Sequence, residues 1–393
     1  MSAKLEPSTI ISLLKSVLGA ENLPVALHEP SFAGKEWEYV KNCLDTGWVS
    51  SAGKFVDEFE SRLAQYTGVQ YAIAVINGTA ALHICLMLSG VGREDEVLLP
   101  ALTFVATANA VHYCGAVPHF IDSDTRSLGV DPYKLRDYLE EKAVVKNGLC
   151  YNKETGRPIK AVVAMHTFGH PVDLDPLLEV CGRYKLALVE DAAEALGSYY
   201  KNRHVGGHGK LSSLSFNGNK IVTTGGGGAV LTNDTDLAKQ ARHLSTTAKL
   251  PHRWAFVHDR VGYNYRLPNL NAALGCAQME QIDKFVQNKR ALAAKYRQVF
   301  AGIPGIAFFQ EPTYAQSNYW LNALLFDEEF AAMRDRLIPA ADQQGICTRP
   351  PWVLMNKLAM FQSCPRMELS TTESLERRIV NIPSSARLGE DYG

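Results

Sequence analysis

Ser215-Phe216-Asn217-Gly218-Asn219-Lys220, followed by Ile221-Val222-Thr223-Thr224 and the glycine run at 225–228, is the stretch on which the reading of this chain turns. It sets one amine beside hydroxyls, side-chain amides and a run of glycine N–H groups. A lysine amine can form a Schiff base with an aldehyde or ketone. Hydroxyls and glycine amides next to it suit a phosphate. A solvated lysine ahead of a glycine-rich turn has the same local appearance, so the rest of the chain must decide. Pyridoxal 5'-phosphate (PLP), an aldehyde that carries a phosphate, satisfies both halves of the pattern and points to an enzyme acting on amines.

Working outward, the chain alternates apolar runs with helical periods. Runs at 71–76, 96–99, 116–121, 160–165 and 186–189 predict buried strands. Helices are expected at 79–88, 106–113 and 236–244, and at 176–184 with Asp175 as its cap and Pro176 at its first position. Such β–α alternation argues for a mostly parallel sheet covered on both faces, with ligands at the carboxyl ends of the strands. Asp191 ends one such strand. It reads either as the cap of the following turn or as a carboxylate for the protonated pyridine nitrogen of PLP. Asn77-Gly78-Thr79-Ala80-Ala81 links a strand to a helix, whose first N–H groups and dipole favour an anion. Thr103-Phe104 follows the next strand in the same way. After residue 235 the pattern shifts to a long helical segment at 270–300, then a turn at Ile303-Pro304-Gly305 and a smaller α+β region.

Composition excludes several classes. A formal net charge of −1 leaves no electrostatic footprint for nucleic acid or an anionic membrane. The eight cysteines are scattered without a C-x-x-C pair, which argues against a zinc ribbon or a disulfide scaffold. His204 and His208 lie four apart, but in a glycine-rich stretch rather than on a helix, and no metal is expected. The amphipathic segment at 8–20 is too short to span a membrane and lacks the pattern of a secretory signal, so a cytoplasmic protein is expected. No G-x-G-x-x-G follows the first strand, which counts against a nucleotide-binding oxidoreductase.

Taken in order, Gly78-Thr79-Ala80-Ala81-Leu82, Pro100-Ala101-Leu102-Thr103-Phe104-Val105-Ala106-Thr107, Glu190-Asp191-Ala192-Ala193, Ser215-Phe216 with Lys220 and Thr223-Thr224-Gly225, and Gly262-Tyr263-Asn264-Tyr265-Arg266 resemble the DegT/DnrJ/EryC1/StrS aminotransferases. The resemblance runs from about residue 30 to 385. It implies an α/β protein of PLP-dependent transferase fold type I (aspartate aminotransferase-like), with a mostly parallel central sheet. The expected divisions are an N-terminal arm at 1–36, a large PLP-binding domain at 37–265 and a smaller C-terminal α+β domain at 266–393.

The resemblance also implies roles. Lys220 carries the cofactor and shuttles the proton. Asp191 pairs with the pyridine nitrogen, and Phe104 stacks on the ring. Gly78, Thr79, Ala80 and Ser215 hold the phosphate, and Asn264 reaches it from a neighbouring subunit, which implies a homodimer with shared active sites. Relatives that dehydrate their sugar carry histidine where this chain has Lys220, so amino transfer is expected. Two positions depart from the common pattern: Glu194, where many members have Gln beside the phenolic oxygen, and Gly226, where many have Glu. With the motifs around Lys220 and Asn264, these resemble the subgroup acting on UDP-linked 4-keto-6-deoxy-N-acetylhexosamines in legionaminic acid and bacillosamine pathways, with L-glutamate as donor. A GDP- or dTDP-linked sugar is the alternative, and a PLP-binding regulatory protein without turnover is a further one. Candidate substrate contacts are Trp48, Ser50, His258, Arg260, Asn318 and Arg349.

Overall fold

The computed structural model describes residues 5–19 and 22–390. Its central sheet runs Tyr71–Val75, Gly228–Thr232, Leu211–Ser215, Ala187–Asp191, Pro158–Met165, Glu96–Pro100, Val117–Ile121. Only Gly228–Thr232 pairs antiparallel with both its neighbours. The remaining pairs along this path are parallel. The carboxyl ends of the other strands therefore share one edge. A hairpin of Ala143–Lys146 and Leu149–Asn152 extends the sheet beside the start of Pro158–Met165.

Strand residues alternate between two cores, the period-2 signature of a sheet buried on both faces. Ala72, Ala74, Leu98, Val162, Leu188 and Leu214 enter one core with Phe59 and Phe216. Ile73, Val75, Leu99, Val163, Val189 and Val230 enter the other with Leu82 and Val111. A smaller antiparallel sheet, Ile306–Phe308, Asn322–Phe326 and Ile379–Ile382, forms a third core. The helix Pro7–Leu18 buries Ile10, Ile11, Leu14 and Leu18 in that core, against Leu292, Tyr296 and Leu337.

Several expectations change in detail. The helix placed at 176–184 is Leu174–Tyr184, with Asp173 rather than Asp175 in the cap position. Pro176 still lies in the first turn, where its missing N–H leaves no gap. The segment at 270–300 is two helices, Asn269–Met279 and Ile282–Val299. The first packs beside Phe59 and the second sends Leu292 and Tyr296 into the small-sheet core, so one helical run serves two cores and breaks between them. The strands Leu211–Ser215 and Gly228–Thr232 escape the sequence reading because Ser212, Ser213 and Gly228 dilute their apolar signal.

Candidate active site

The shared strand edge opens into a cavity of about 740 Å³. On one side, strand Tyr71–Val75 turns at Asn77 into the helix Gly78–Leu88. Asn77 caps that helix, its Oδ1 accepting the Ala80 N–H at 2.8 Å. The amides of Gly78 and Thr79 and the hydroxyls of Thr79 and Ser215 make no hydrogen bond among the described residues, and all three residues line the cavity. A Cβ on Gly78 would lie 2.8 Å from the Ser215 Cβ, so glycine is what lets helix and strand converge. The result is a cradle of two amides and two hydroxyls at a helix N-terminus, which suits a phosphate. Ala80, expected in this cradle, has its amide occupied by the cap.

Asp191 stands next along the edge, paired in register with Ser213 and Met165. Its Oδ2 accepts the Thr107 hydroxyl at 2.9 Å and its Oδ1 the Ala193 N–H at 3.2 Å. Both bonds fix the carboxylate where it borders the cavity. Lys220 lies across from it on the turn after Ser215. Its Nζ is 3.4 Å from Glu194 Oε1 and 3.9 Å above the centre of the Trp320 ring. Glu194 is buried and its Oε2 accepts the Phe168 N–H at 2.9 Å. Burial pushes its carboxyl up to about 7, against the pull of the Lys220 amine and the Phe168 N–H. A carboxyl near 7 is half protonated at neutral pH, which eases the expected clash with a phenolic oxygen.

The far wall comes from both extremes of the chain. Val25 N donates to Gly345 O at 2.8 Å, and Cys347 N to Val25 O at 3.0 Å. Ser384 N donates to Leu27 O at 2.7 Å, and Arg349 and Asn381 pair as an antiparallel bridge. This brings Leu27, His28, Arg349 and Asn381 to the cavity. Phe104, half exposed, lines it as well, with its ring 6.4 Å from Trp352.

Of the candidates, Lys220, Asp191, Glu194, Gly78, Thr79, Ser215, Phe104 and Arg349 line the cavity. Asn318 does not. It is fully buried and its Nδ2 donates to Glu194 O at 2.9 Å and Leu196 O at 2.8 Å, holding the turn that carries Glu194. Asn264, His258 and Arg260 lie on an exposed segment outside this chain's cavity, as do Trp48 and Ser50. The glycine run does not reach the cavity either. Its second half packs instead: a Cβ on Gly228 would sit 2.4 Å from the Asn77 backbone, whereas one on Gly226 would meet nothing within 4 Å. The sequence reading missed His28, Thr107 as partner of Asp191, and Trp352. Thr107 stood in a quoted motif, but His28 carried no motif, and only tertiary pairing brings it in.

The profile of the DegT/DnrJ/EryC1/StrS aminotransferase family matches residues 30–392. The chain belongs to that family. This DegT/DnrJ/EryC1/StrS aminotransferase is 36% identical to the GDP-perosamine synthase of Caulobacter vibrioides over 369 residues, covering 93% of this chain and 94% of that one. It is likewise 36% identical to the GDP-perosamine synthase of Escherichia coli O157:H7 over 367 residues, covering 93% and 95%. The crystal structure of the aminotransferase TlmJ from Streptoalloteichus hindustanus superposes with a TM-score of 0.82 at 26% identity, covering 92% of this chain and 93% of that one. The chain is thus a PLP-dependent nucleotide-sugar aminotransferase of fold type I. The cavity fits that cofactor: an amine, a fixed carboxylate and an open anion cradle face one space. No helix among the described residues is long and apolar enough to cross a membrane.

Proposed function

We propose that this enzyme moves an amino group from L-glutamate to C4 of a nucleotide-linked 4-keto-6-deoxy hexose. The observation that carries the reading is the convergence of Lys220, Asp191 and the open end of helix Gly78–Leu88 on one cavity. Bound PLP would supply an electron sink for the electron pair left behind by a departing Cα proton. Lys220 holds the cofactor and, as a free amine, moves that proton. Asp191, kept in place by Thr107 and Ala193, keeps the pyridine nitrogen protonated. Gly78, Thr79 and Ser215 hold the phosphate, and Phe104 lies on the ring. Arg349 on the far wall meets a carboxylate or diphosphate, the anions its planar fork matches.

The working unit in this reading is a homodimer. Trp254, Phe256 and Val261 are 74%, 79% and 81% exposed on the segment that leads to Asn264. A second copy covering them would bring Asn264, His258 and Arg260 to its own cavity. Trp48, 59% exposed, and Ser50 present a second such surface. Two readings of the nucleotide have support. The perosamine synthase relatives favour a GDP-linked sugar, whereas Glu194 and Gly226 favour the UDP-linked N-acetylhexosamine.

The test is incubation with L-glutamate and a panel of GDP-, UDP- and dTDP-4-keto-6-deoxy sugars, with product masses read. One aminated product identifies the nucleotide, and none with any sugar overturns the reading. Borohydride reduction should fix the cofactor on Lys220, and Lys220→Ala should lower turnover by several orders of magnitude. A label on another lysine, or turnover within about tenfold of the parent, refutes the role of Lys220.

A further inference from the structure

Residues 317–320 are tied to both halves of the site more densely than a core segment requires. Ser317 Oγ donates to Gly169 O at 2.9 Å, and Asn318 N to Ser198 Oγ at 2.9 Å. Asn318 Oδ1 accepts the Trp320 N–H at 2.8 Å, while its amide nitrogen holds the Glu194 turn. Tyr319 takes a left-handed backbone with φ of 47°, which is costly for an aromatic residue. Lys289, fully buried, donates to the carbonyls of Trp320 (3.1 Å) and Ser384. No carboxylate faces that amine among its hydrogen bonds, and burial holds its pKa well below the ordinary lysine value. These ties fix the backbone from which the Trp320 side chain projects. Its indole N–H donates to Asn219 O at 2.8 Å, on the residue before the catalytic lysine. Its face lies 3.9 Å from the Lys220 Nζ.

We infer that Trp320 is the dock of the catalytic amine: the ring face holds the Lys220 ε-ammonium whenever the lysine is detached from the carbonyl carbon, and the indole N–H fixes the backbone of the turn that carries it. This rests on Lys220 being the cofactor lysine. With the cofactor bound, a donor ammonium that displaced Lys220 would form its own carbon–nitrogen bond as the bond to the lysine broke. The two protons leaving the donor nitrogen would balance the two that the lysine nitrogen gains. The released lysine is then a cation in a largely buried cavity, where the negative face of an indole is the best aromatic partner for it. Glu194, 3.4 Å away, is the group placed to take the proton back before the amine acts as a base.

The test uses cofactor-free protein, so that it reads the amine itself, and compares Trp320→Phe with Trp320→Leu. Lys220 is labelled at neutral pH with a neutral acylating reagent and its rate of modification followed by peptide mass. For a mostly buried lysine, a cation–π contact between the exposed and the fully desolvated limits corresponds to roughly tenfold protection. Loss of the face in Trp320→Leu should therefore raise the labelling rate about tenfold, while Trp320→Phe, which keeps a weaker face, should fall between. In the loaded enzyme, Trp320→Leu should lower kcat of the glutamate half-reaction and leave KM within about threefold. Equal labelling in all three proteins overturns the dock. If Trp320→Leu does not fold, an unchanged rate in Trp320→Phe overturns it alone. A borohydride label away from Lys220 in the parent would instead refute the proposed function and leave the labelling result to stand on its own.

Discussion

Glu194→Gln separates the buried carboxyl from every other feature of the site. The Glu194 carboxyl is raised from 4.5 to about 7, chiefly by burial. Between those two values the folded protein keeps a proton that the unfolded chain has released. Stability must therefore fall as pH rises through this window. A shift of about 2.5 units at ~1.36 kcal/mol each gives about 3 kcal/mol, with the slope gone above about pH 7. A glutamine in its place can still accept the Phe168 N–H but does not titrate. Whatever constant cost it brings next to Lys220, the pH dependence is the readout. Urea unfolding of the cofactor-free parent and variant from pH 4.5 to 8 should show the parent losing about 3 kcal/mol relative to the variant across that window. Parallel curves would mean that the carboxyl is ionised throughout and that Lys220 compensates its burial in full.

Glu190 should show the opposite sign. Burial is outweighed by hydrogen bonding and charge from His166, the charge of His208 and the Gly206 N–H, and its carboxyl is held at about 2. Its contribution of about 3 kcal/mol is present above its unfolded value and lost as pH falls from about 4.5 towards 2. Glu190→Gln should flatten that acid limb, seen in the midpoint of acid unfolding, and an unchanged limb would refute the assignment. Gly228→Ala should cost about 1–3 kcal/mol through overpacking against the Asn77 backbone and weaken PLP binding, measured by equilibrium dialysis. Gly226→Ala, where a Cβ meets nothing within 4 Å, is the control; equal effects from the two would sink the packing argument.

How much of this was legible in the sequence depends on the distance over which each signal acts. Five of the parallel strands were readable because each is a continuous apolar run between turn residues, whereas Leu211–Ser215 is diluted by Ser212 and Ser213; Asp191 and Thr79 followed from their places at strand ends. The motif order around Lys220 carried the cofactor. Two further elements were hidden for physical reasons. The strand Gly228–Thr232 opens on a glycine required by a close backbone approach, so its first position reads as turn rather than strand. His28 reaches the cavity only because its neighbours pair, Val25 with Gly345 and Cys347 and Leu27 with Ser384, contacts that no local pattern announces. Asn318 reads two ways in the sequence, as closing over the pocket or as core of the smaller domain, and its amide is consumed by the carbonyls of Glu194 and Leu196.

The far wall sets an order of events during synthesis. Val25 and Leu27 leave the ribosome long before their backbone partners at 345–347 and 384. The nascent chain must keep Val25 and Leu27 without these partners until residues 345–384 have been made. The enclosure around the catalytic amine is then closed late, by segments that meet across more than three hundred intervening residues.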